Sequence, residues 1–506
     1  MITYNYSSRK IFCHILCFSS LYQLINGTSL DDYVNEPDDN YKYEILKMVE
    51  FVDYKLYYIN MTSQKWQNES IVDRPIWWHW MSVSVPNKIT RPDASFIFIG
   101  GNNNNDDFPD PDDTEIRLTS VYAVTTGTIA THLRNIPNQP LVFKDDPEKK
   151  HRTEDAIIAW TWKKFLSDTS NPSILLRLPM TKAVIRAMDT IEHFARTNNF
   201  GQVKKFMLAG ESKRGWTTWT SAAVDTKRVF SAVPIVMDIL NMNTNLHKNF
   251  RSLGGWTFAF SPYYELNITK YVDSREIFEL QKIVDPISYL DRYKETNILV
   301  MTTSGDEFFL PENTNSYWDN LVAATDGKVL LRRLPNAEHE IYEHAISEFA
   351  SLRSFFLSTY EKSLLPKVKW IMPNNSTHGI IRARIDVTSG SPKPYIVKCY
   401  YANTLGNTRR DFRLVIADPN DSSKEIPHPV VWFSTDKNIL TNETKSEIFY
   451  EIAFKKPYSG WLGFFLQFNF KGLDYSVNVV TTETNIVPET FPFDDCSRES
   501  CLGKLV

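Results

Sequence analysis

From residue 95 to residue 334 the chain alternates short apolar runs with longer stretches of helical period, and this alternation narrows the fold more than any other feature. The runs at 95–100, 204–210, 229–237, 297–303 and 328–334 are short and bounded by turn residues, as strands buried on both faces of a sheet are. Between them, 153–167 opens on a capping threonine and carries an apolar stripe. Residues 179–197 form another amphipathic stretch with proline near its start. A helix is also predicted from Lys213 onward. Strands separated by helices pack as a mainly parallel sheet with helices on both faces, an α/β architecture. Two earlier runs, 54–60 and 76–85, read as strands leading into it.

Three stretches depart from the alternation. Residues 29–40 are polar and acidic and are expected to be loose. Residues 101–115 hold four consecutive asparagines, then six acids and two prolines within ten residues, which predicts a loop. Residues 238–291 are aromatic-rich and lie between two predicted strands, so they are expected to leave the sheet and cap a pocket. Beyond 366 the texture changes. Seven short β-rich runs (379–388, 395–402, 412–416, 430–434, 446–454, 460–470 and 475–482) with no helical stretch between them predict a β-sandwich. Trp432 and Trp461 in this region are expected to be core residues rather than a carbohydrate-binding surface. The expected division is therefore a leader at 1–27, an α/β domain at 28–365, a β-sandwich at 366–490 and an irregular tail at 491–506.

Composition removes several function classes. Lys and Arg number 56 against 60 Asp and Glu, so no basic field favours a nucleic-acid partner. Arg9 and Lys10 precede an apolar run from Ile11 to Ile25, too short to span a bilayer comfortably but right for a secretory signal. No later stretch is long and apolar enough for a membrane helix, so the expected product is secreted. Sequons at Asn60, Asn68, Asn267, Asn374, Asn375, Asn420 and Asn442 agree with export and predict a glycoprotein, and Asn26 carries another at the cleavage point. Cys13 and Cys17 would leave with the signal. Cys496 and Cys501 are the first candidates for a disulfide, leaving Cys399 free; pairing of Cys399 with either tail cysteine is the alternative. There is no His-x-x-x-His pair with a glutamate, no Cys-x-x-Cys and no phosphate loop, so neither metal nor cofactor is predicted.

The chemistry concentrates at Gly210-Glu211-Ser212-Lys213-Arg214-Gly215, between a predicted strand and a predicted helix. A serine on such a sharp turn is thrust above the sheet edge, with the free N–H groups of the helix start facing it. The usual pattern has glycine two positions after the serine; here that position is Arg214 and glycine comes third. An orienting acid belongs after a later strand, and Asp306 stands there, with Glu307 as the fallback. A general base belongs in the loop after the last strand, and His339 occupies it, with His344 as competitor. Ser, Asp, His is the chain order expected of an α/β-hydrolase triad. His339 would take the Ser212 proton, and Asp306 would fix its tautomer and stabilise the imidazolium. The backbone N–H of Lys213 and that of Gly101 or Asn102 would form the oxyanion hole, each worth about 3 kcal/mol in the transition state. Glu338, next to His339, is expected to bear on the base.

At these residues the chain resembles the PhoPQ-activated pathogenicity-related proteins. The runs that carry the resemblance are IFIGGNNN at 97–104, EDAIIAWTWKKFL at 154–166, LPMTKAVIRAMDTI at 178–191, GESKRGWTTWTSAAVD at 210–225, SGDEFFLP at 304–311 and TTETNIVP at 481–488. The resemblance spans roughly residues 43–488. It accounts for Arg214, since this family carries Ser-Lys-Arg-Gly, and it implies an α/β-hydrolase domain followed by a β-rich C-terminal domain. It implies no substrate. Because the family includes a secreted growth repressor, two functions are expected to compete. One is Ser-His-Asp acyl transfer on a small-molecule or peptide substrate. The other is non-catalytic signalling to a cell-surface receptor on a hydrolase scaffold.

Overall fold

The computed structural model describes residues 27–363 and 365–506; the expected signal up to residue 26, with Cys13, Cys17 and Asn26, lies outside them. Its centre is a nine-stranded sheet formed by β1 (Lys42–Glu50), β2 (Tyr54–Lys65), β3 (Ile76–Pro86), β4 (Ala94–Ile99), β5 (Ile129–Leu133), β6 (Lys205–Glu211), β7 (Val229–Ile235), β8 (Asn297–Thr303) and β9 (Val329–Leu334). The order is β1-β2-β3-β5-β4-β6-β7-β8-β9. The first three strands and the β3–β5 pair are antiparallel, and every pairing from β5 through β4 to β9 is parallel. This is the α/β-hydrolase fold. Strand order reverses at β4, which lies between β5 and β6, and a crevice opens at the carboxyl ends of strands where the order reverses.

Burial on both faces explains why the central strands are mainly apolar. Along β4, Ile97 and Ile99 pack into one buried cluster while Phe96 and Phe98 pack into another. Phe206 and Leu208 alternate with Met207 and Ala209 along β6 in the same way. The first cluster includes the helices Glu154–Ser167, Arg177–Thr197 and Lys213–Val224. The second includes residues of the helices Thr114–Thr126 and Ala345–Tyr360 and continues without a break into the C-terminal strands.

Those strands form two antiparallel sheets. One runs β10 (Val368–Ile371), β11 (His378–Asp386), β17 (Glu447–Lys455), β16 (Leu440–Glu443); the other runs β15 (Phe433–Thr435), β12 (Pro394–Asn403), β18 (Leu462–Lys471), β19 (Val477–Thr481), with β20 (Asn485–Val487) also on β18. Ile381, Ile385 and Ile452 of the first share a buried cluster with Phe464, Leu466 and Phe468 of the second, the arrangement of a β-sandwich. A separate ribbon joins β13 (Val415–Asp418) and β14 (Asp421–Pro427). Trp432 and Trp461 are buried in a small aromatic cluster.

Several expectations change. Residues 29–40 are not loose: Ser29–Asn35 is a helix, closed by a capping box between Thr28 and Asp31 and seated by buried Leu30 and Val34. The loop after β4 ends sooner than expected, because a helix begins at Thr114. The strand expected at 412–416 starts only at Val415, since Phe412 turns inward onto Trp432. Past Pro488 the tail has no strand but is tied down. Trp256 N–H donates to the Lys504 carbonyl and Val506 N–H to the Trp256 carbonyl, both at 2.8 Å. Among the described residues no helix is long and apolar enough to cross a membrane.

Candidate active site

Ser212 sits between β6 and the helix Lys213–Val224 with φ +56° and ψ −126°. L-residues other than glycine seldom take such values, and the conformation projects the side chain out of the turn. The Ser212 N–H holds it there by donating to the Ile235 carbonyl of β7 at 2.8 Å. The displaced glycine has a clear reason. A Cβ on Gly215 would stand 2.8 Å from the Ile235 carbonyl oxygen and 2.9 Å from that of Gly210. The backbone of this helix therefore crowds the sheet at its third residue. At the second, Arg214 reaches away and donates through Nε to the Ile136 carbonyl at 2.6 Å.

Three side chains far apart in sequence meet at this rim. His339 Nε2 lies 2.7 Å from Ser212 Oγ. His339 Nδ1 lies 3.0 Å from each Asp306 oxygen. The carboxylate can only accept, so Nδ1 carries the hydrogen and the Nε2 lone pair faces the serine hydroxyl. Adjacent parallel strands deliver the pair: β8 leads directly into Ser304–Asp306, β9 runs into the loop holding His339, and Thr303 is in register with Leu334. Asp306 also accepts from the N–H groups of Phe308 and Phe309 at 2.8 and 3.1 Å, and the Phe308 ring lies 4.4 Å from the His339 ring. Burial opposes charging His339, but the charge and hydrogen bond of Asp306 prevail and hold its pKa above the ordinary imidazole value.

The fallback acid, Glu307, turns away from the ring and accepts the His339 backbone N–H at 3.0 Å. Burial and the neighbouring Asp306 charge push its carboxyl up to about 7. His344 lies in a separate short turn, Tyr342–His344. The charges that bear most on His339 are those of Asp306, Glu307 and Lys213, ahead of the adjacent Glu338. The pKa of Glu338 is raised by burial and by the carboxylates of Glu340, Glu425 and Glu343.

The loop after β4 flanks the serine because β4 pairs with β6, Ile99 opposite Gly210. A Cβ on Gly101 would stand 2.6 Å from Arg214 Nη2, so the loop backbone lies against the Arg214 guanidinium. Asn102 takes φ +76°. Among the described residues, the N–H groups of Gly101, Asn102 and Lys213 donate to no backbone carbonyl outside regular helix and strand bonding.

The sequence reading missed an ionic network beneath the serine. Lys213 Nζ lies 2.8 Å from Glu154 and 3.0 Å from Asp155, and Arg214 pairs with the other Glu154 oxygen. Tyr263 donates to Asp155 at 2.9 Å. Buried Arg177 donates to the Lys213 carbonyl at 2.7 Å and lies 4.3 Å over the Trp216 ring. Its guanidinium is pushed down to about 9 by burial. Glu154, Asp155, Lys213 and Arg214 all lie in the runs that carry the family resemblance. An acid pair and a basic pair there were the available signal.

Asn68, Asn267, Asn375, Asn420 and Asn442 are exposed, whereas Asn60 and Asn374 are half-buried. Asn374 Nδ2 donates to Asn485 at 3.0 Å, so its amide nitrogen is already engaged. Cys496 and Cys501 are bonded to each other, and Cys399 is free and buried. One group of metal-capable side chains occurs among the described residues, His247, Asp495 and Cys496, and the Cys496 sulfur is taken by its disulfide.

The model of the PhoPQ-activated pathogenicity-related protein family matches residues 30–413. Autocrine proliferation repressor protein A of Dictyostelium discoideum is 37% identical over 495 residues, which is 97% of this chain and 96% of that protein. Solved structures with likeness include acetyl xylan esterase 1 from Thermoanaerobacterium, at 15% identity and a TM-score of 0.40, covering 65% of this chain and 93% of that one. Another is an esterase from Pyrobaculum calidifontis, at 15% identity and a TM-score of 0.35, covering 71% and 94%. These last likenesses are too distant to speak to substrate. On the family match and the nearly full-length identity to the repressor, the chain belongs to the PhoPQ-activated pathogenicity-related protein family.

Proposed function

We propose that this protein is a secreted serine hydrolase that transfers acyl groups from an ester, amide or peptide to water. The reading is carried by one observation, the unbroken line of hydrogen bonds from Ser212 Oγ through the His339 ring to Asp306. As Ser212 Oγ bonds to the substrate's acyl carbon, His339 Nε2 takes the hydroxyl proton and then gives it to the departing alcohol or amine. Asp306 steadies the imidazolium formed in between. The Lys213 N–H and that of Gly101 or Asn102 face the developing oxyanion. Water, deprotonated by the same nitrogen, then attacks the acyl-enzyme carbon; the bond to Ser212 Oγ breaks as His339 hands that proton back to the oxygen, and the acid leaves. On this reading residues 1–27 are an export signal removed from the mature protein and the exposed sequons carry glycans. The hydrolase domain occupies 28–365, with 238–291 as its cap, the sandwich 366–490 and the tail 491–506.

A second reading, extracellular signalling to a cell-surface receptor on a hydrolase scaffold, is favoured by the name of the Dictyostelium relative. One variant separates the two. The secreted protein is expected to take a fluorophosphonate label that Ser212→Ala abolishes. A folded, unlabelled native protein would remove the enzymatic reading. A growth-repressing effect that survives Ser212→Ala would support signalling.

A further inference from the structure

Ser212 and His339 stand on the wall of a cavity that opens to solvent and is lined mainly by apolar side chains. The cap between β7 and β8 supplies much of the wall through Met242, Trp256, Phe260, Val272 and Ile277. Two charged side chains besides His339 line it, Asp155 and Lys213, and they are paired with each other at 3.0 Å. Indole, phenyl and branched aliphatic groups make up most of the rest, so an ionised ligand would lose its hydration there without compensation.

Three buried amides interrupt the hydrocarbon. Asn245, Asn249 and Asn313 line the cavity at 5%, 4% and 3% exposure. Asn245 Nδ2 donates to the Leu240 carbonyl at 2.8 Å and Asn313 Nδ2 to that of Asp238 at 3.2 Å. Those bonds settle which end of each amide is oxygen. Both oxygens lack a partner among the described residues, as does the Asn249 amide, in which no hydrogen bond marks the oxygen end. Asn245 and Asn249 are four apart on the helix Met242–Leu253 and so share a face. Buried acceptors without donors call for a ligand or water that donates.

We propose that this cavity takes an uncharged, mainly apolar acyl chain, and that the asparagine oxygens favour a chain bearing a hydroxyl over one bearing a carboxylate. As an acyl subsite the assignment rests on the serine-hydrolase reading, but the occupant can be tested without turnover. In the full chain carrying Ser212→Ala, tryptophan fluorescence reports binding, because Trp162, Trp216 and Trp256 line the cavity. A buried methylene is worth roughly fourfold in affinity. Methyl decanoate is therefore expected to bind at least tenfold more tightly than methyl butyrate. Methyl 10-hydroxydecanoate should bind at least as tightly as methyl decanoate, and monomethyl decanedioate at least tenfold more weakly than the hydroxy ester. Val272→Trp, which fills the space, should erase the advantage of the longer chain. Affinity that ignores chain length would overturn the proposal, as would a decanedioate ester binding as well as the hydroxy ester. Native protein assayed with nitrophenyl acetate and octanoate separates the two ideas. Turnover indifferent to chain length removes this inference and leaves the hydrolase; length-dependent binding without turnover keeps the occupant and removes the chemistry.

Discussion

His339 is buried and hydrogen-bonded at both ring nitrogens, and its pKa sets the acid limb of any activity at this site. A general base works only when neutral. Because Asp306 holds the imidazolium, kcat/KM is expected to rise with pH through an ionisation above the ordinary histidine value. Asp306→Asn removes the charge that raises it, so the limb should move to lower pH while kcat falls by on the order of 10⁴, the tautomer now being wrong. A pH–rate profile of both proteins checks the direction. The meeting of Ser212, Asp306 and His339 was legible in sequence because each follows a strand and the three come in a fixed order. The Glu154–Lys213–Asp155 cluster was not. An ion pair closed across about sixty residues leaves no periodicity, and its acids read as the first turn of a helix.

The turn at Ser212 depends on how closely the helix Lys213–Val224 approaches β7. Gly215→Ala puts a methyl against the Ile235 carbonyl, and overpacking of this kind costs about 1–3 kcal/mol. Urea unfolding should show the lower midpoint, and fluorophosphonate labelling should slow as the serine shifts. A second contact holds the base. Asn336 Nδ2 donates to the Trp432 carbonyl at 2.9 Å and Asn336 Oδ1 accepts the Trp432 N–H at 2.7 Å. Asn336→Ala should cost about 1–3 kcal/mol of stability, two hydrogen bonds' worth, and lower kcat more than it changes KM. Thermal unfolding and steady-state kinetics measure the two effects. Among the elements, the buried parallel strands were placed within a residue or two because apolar runs mark them. β1 escaped because most of it is exposed, and β5 because Thr131 and His132 break its apolar run. The helix Thr114–Thr126 escaped because an acidic, proline-rich loop leads straight into it and its faces are poorly segregated.

One hydrophobic cluster runs from the sheet's second face through Phe349 and Phe356 to Phe464 and Phe468. The two architectures thus share a core, which a change of texture near residue 366 could not reveal. Several buried or largely buried carboxyls of the fold are held well above their usual range. Burial raises Asp238 and Asp285 to about 6, and burial raises Glu307 and Glu483 to about 7. Between about pH 4 and 7 these four carboxyls bind more protons in the folded chain than in the unfolded one; they outnumber the buried His79 and His132, which burial pushes down to about 4 and about 3 and which act in the opposite sense, so stability falls as pH rises through that window. His339 acts in the same sense, its contribution being lost as pH climbs through its raised value. Thermal unfolding should occur at higher temperature at pH 5 than at pH 7.5, and Asp238→Asn with Glu483→Gln should flatten the slope. The clasp between Asn336 and Trp432 carries a consequence for ancestry. A foreign C-terminal half would keep the hold on the His339 loop only by laying a main-chain N–H and carbonyl where those of Trp432 lie. Hybrids of distant cousins should therefore keep the His339 loop in place wherever the incoming backbone retraces that of residue 432, whatever side chain it carries.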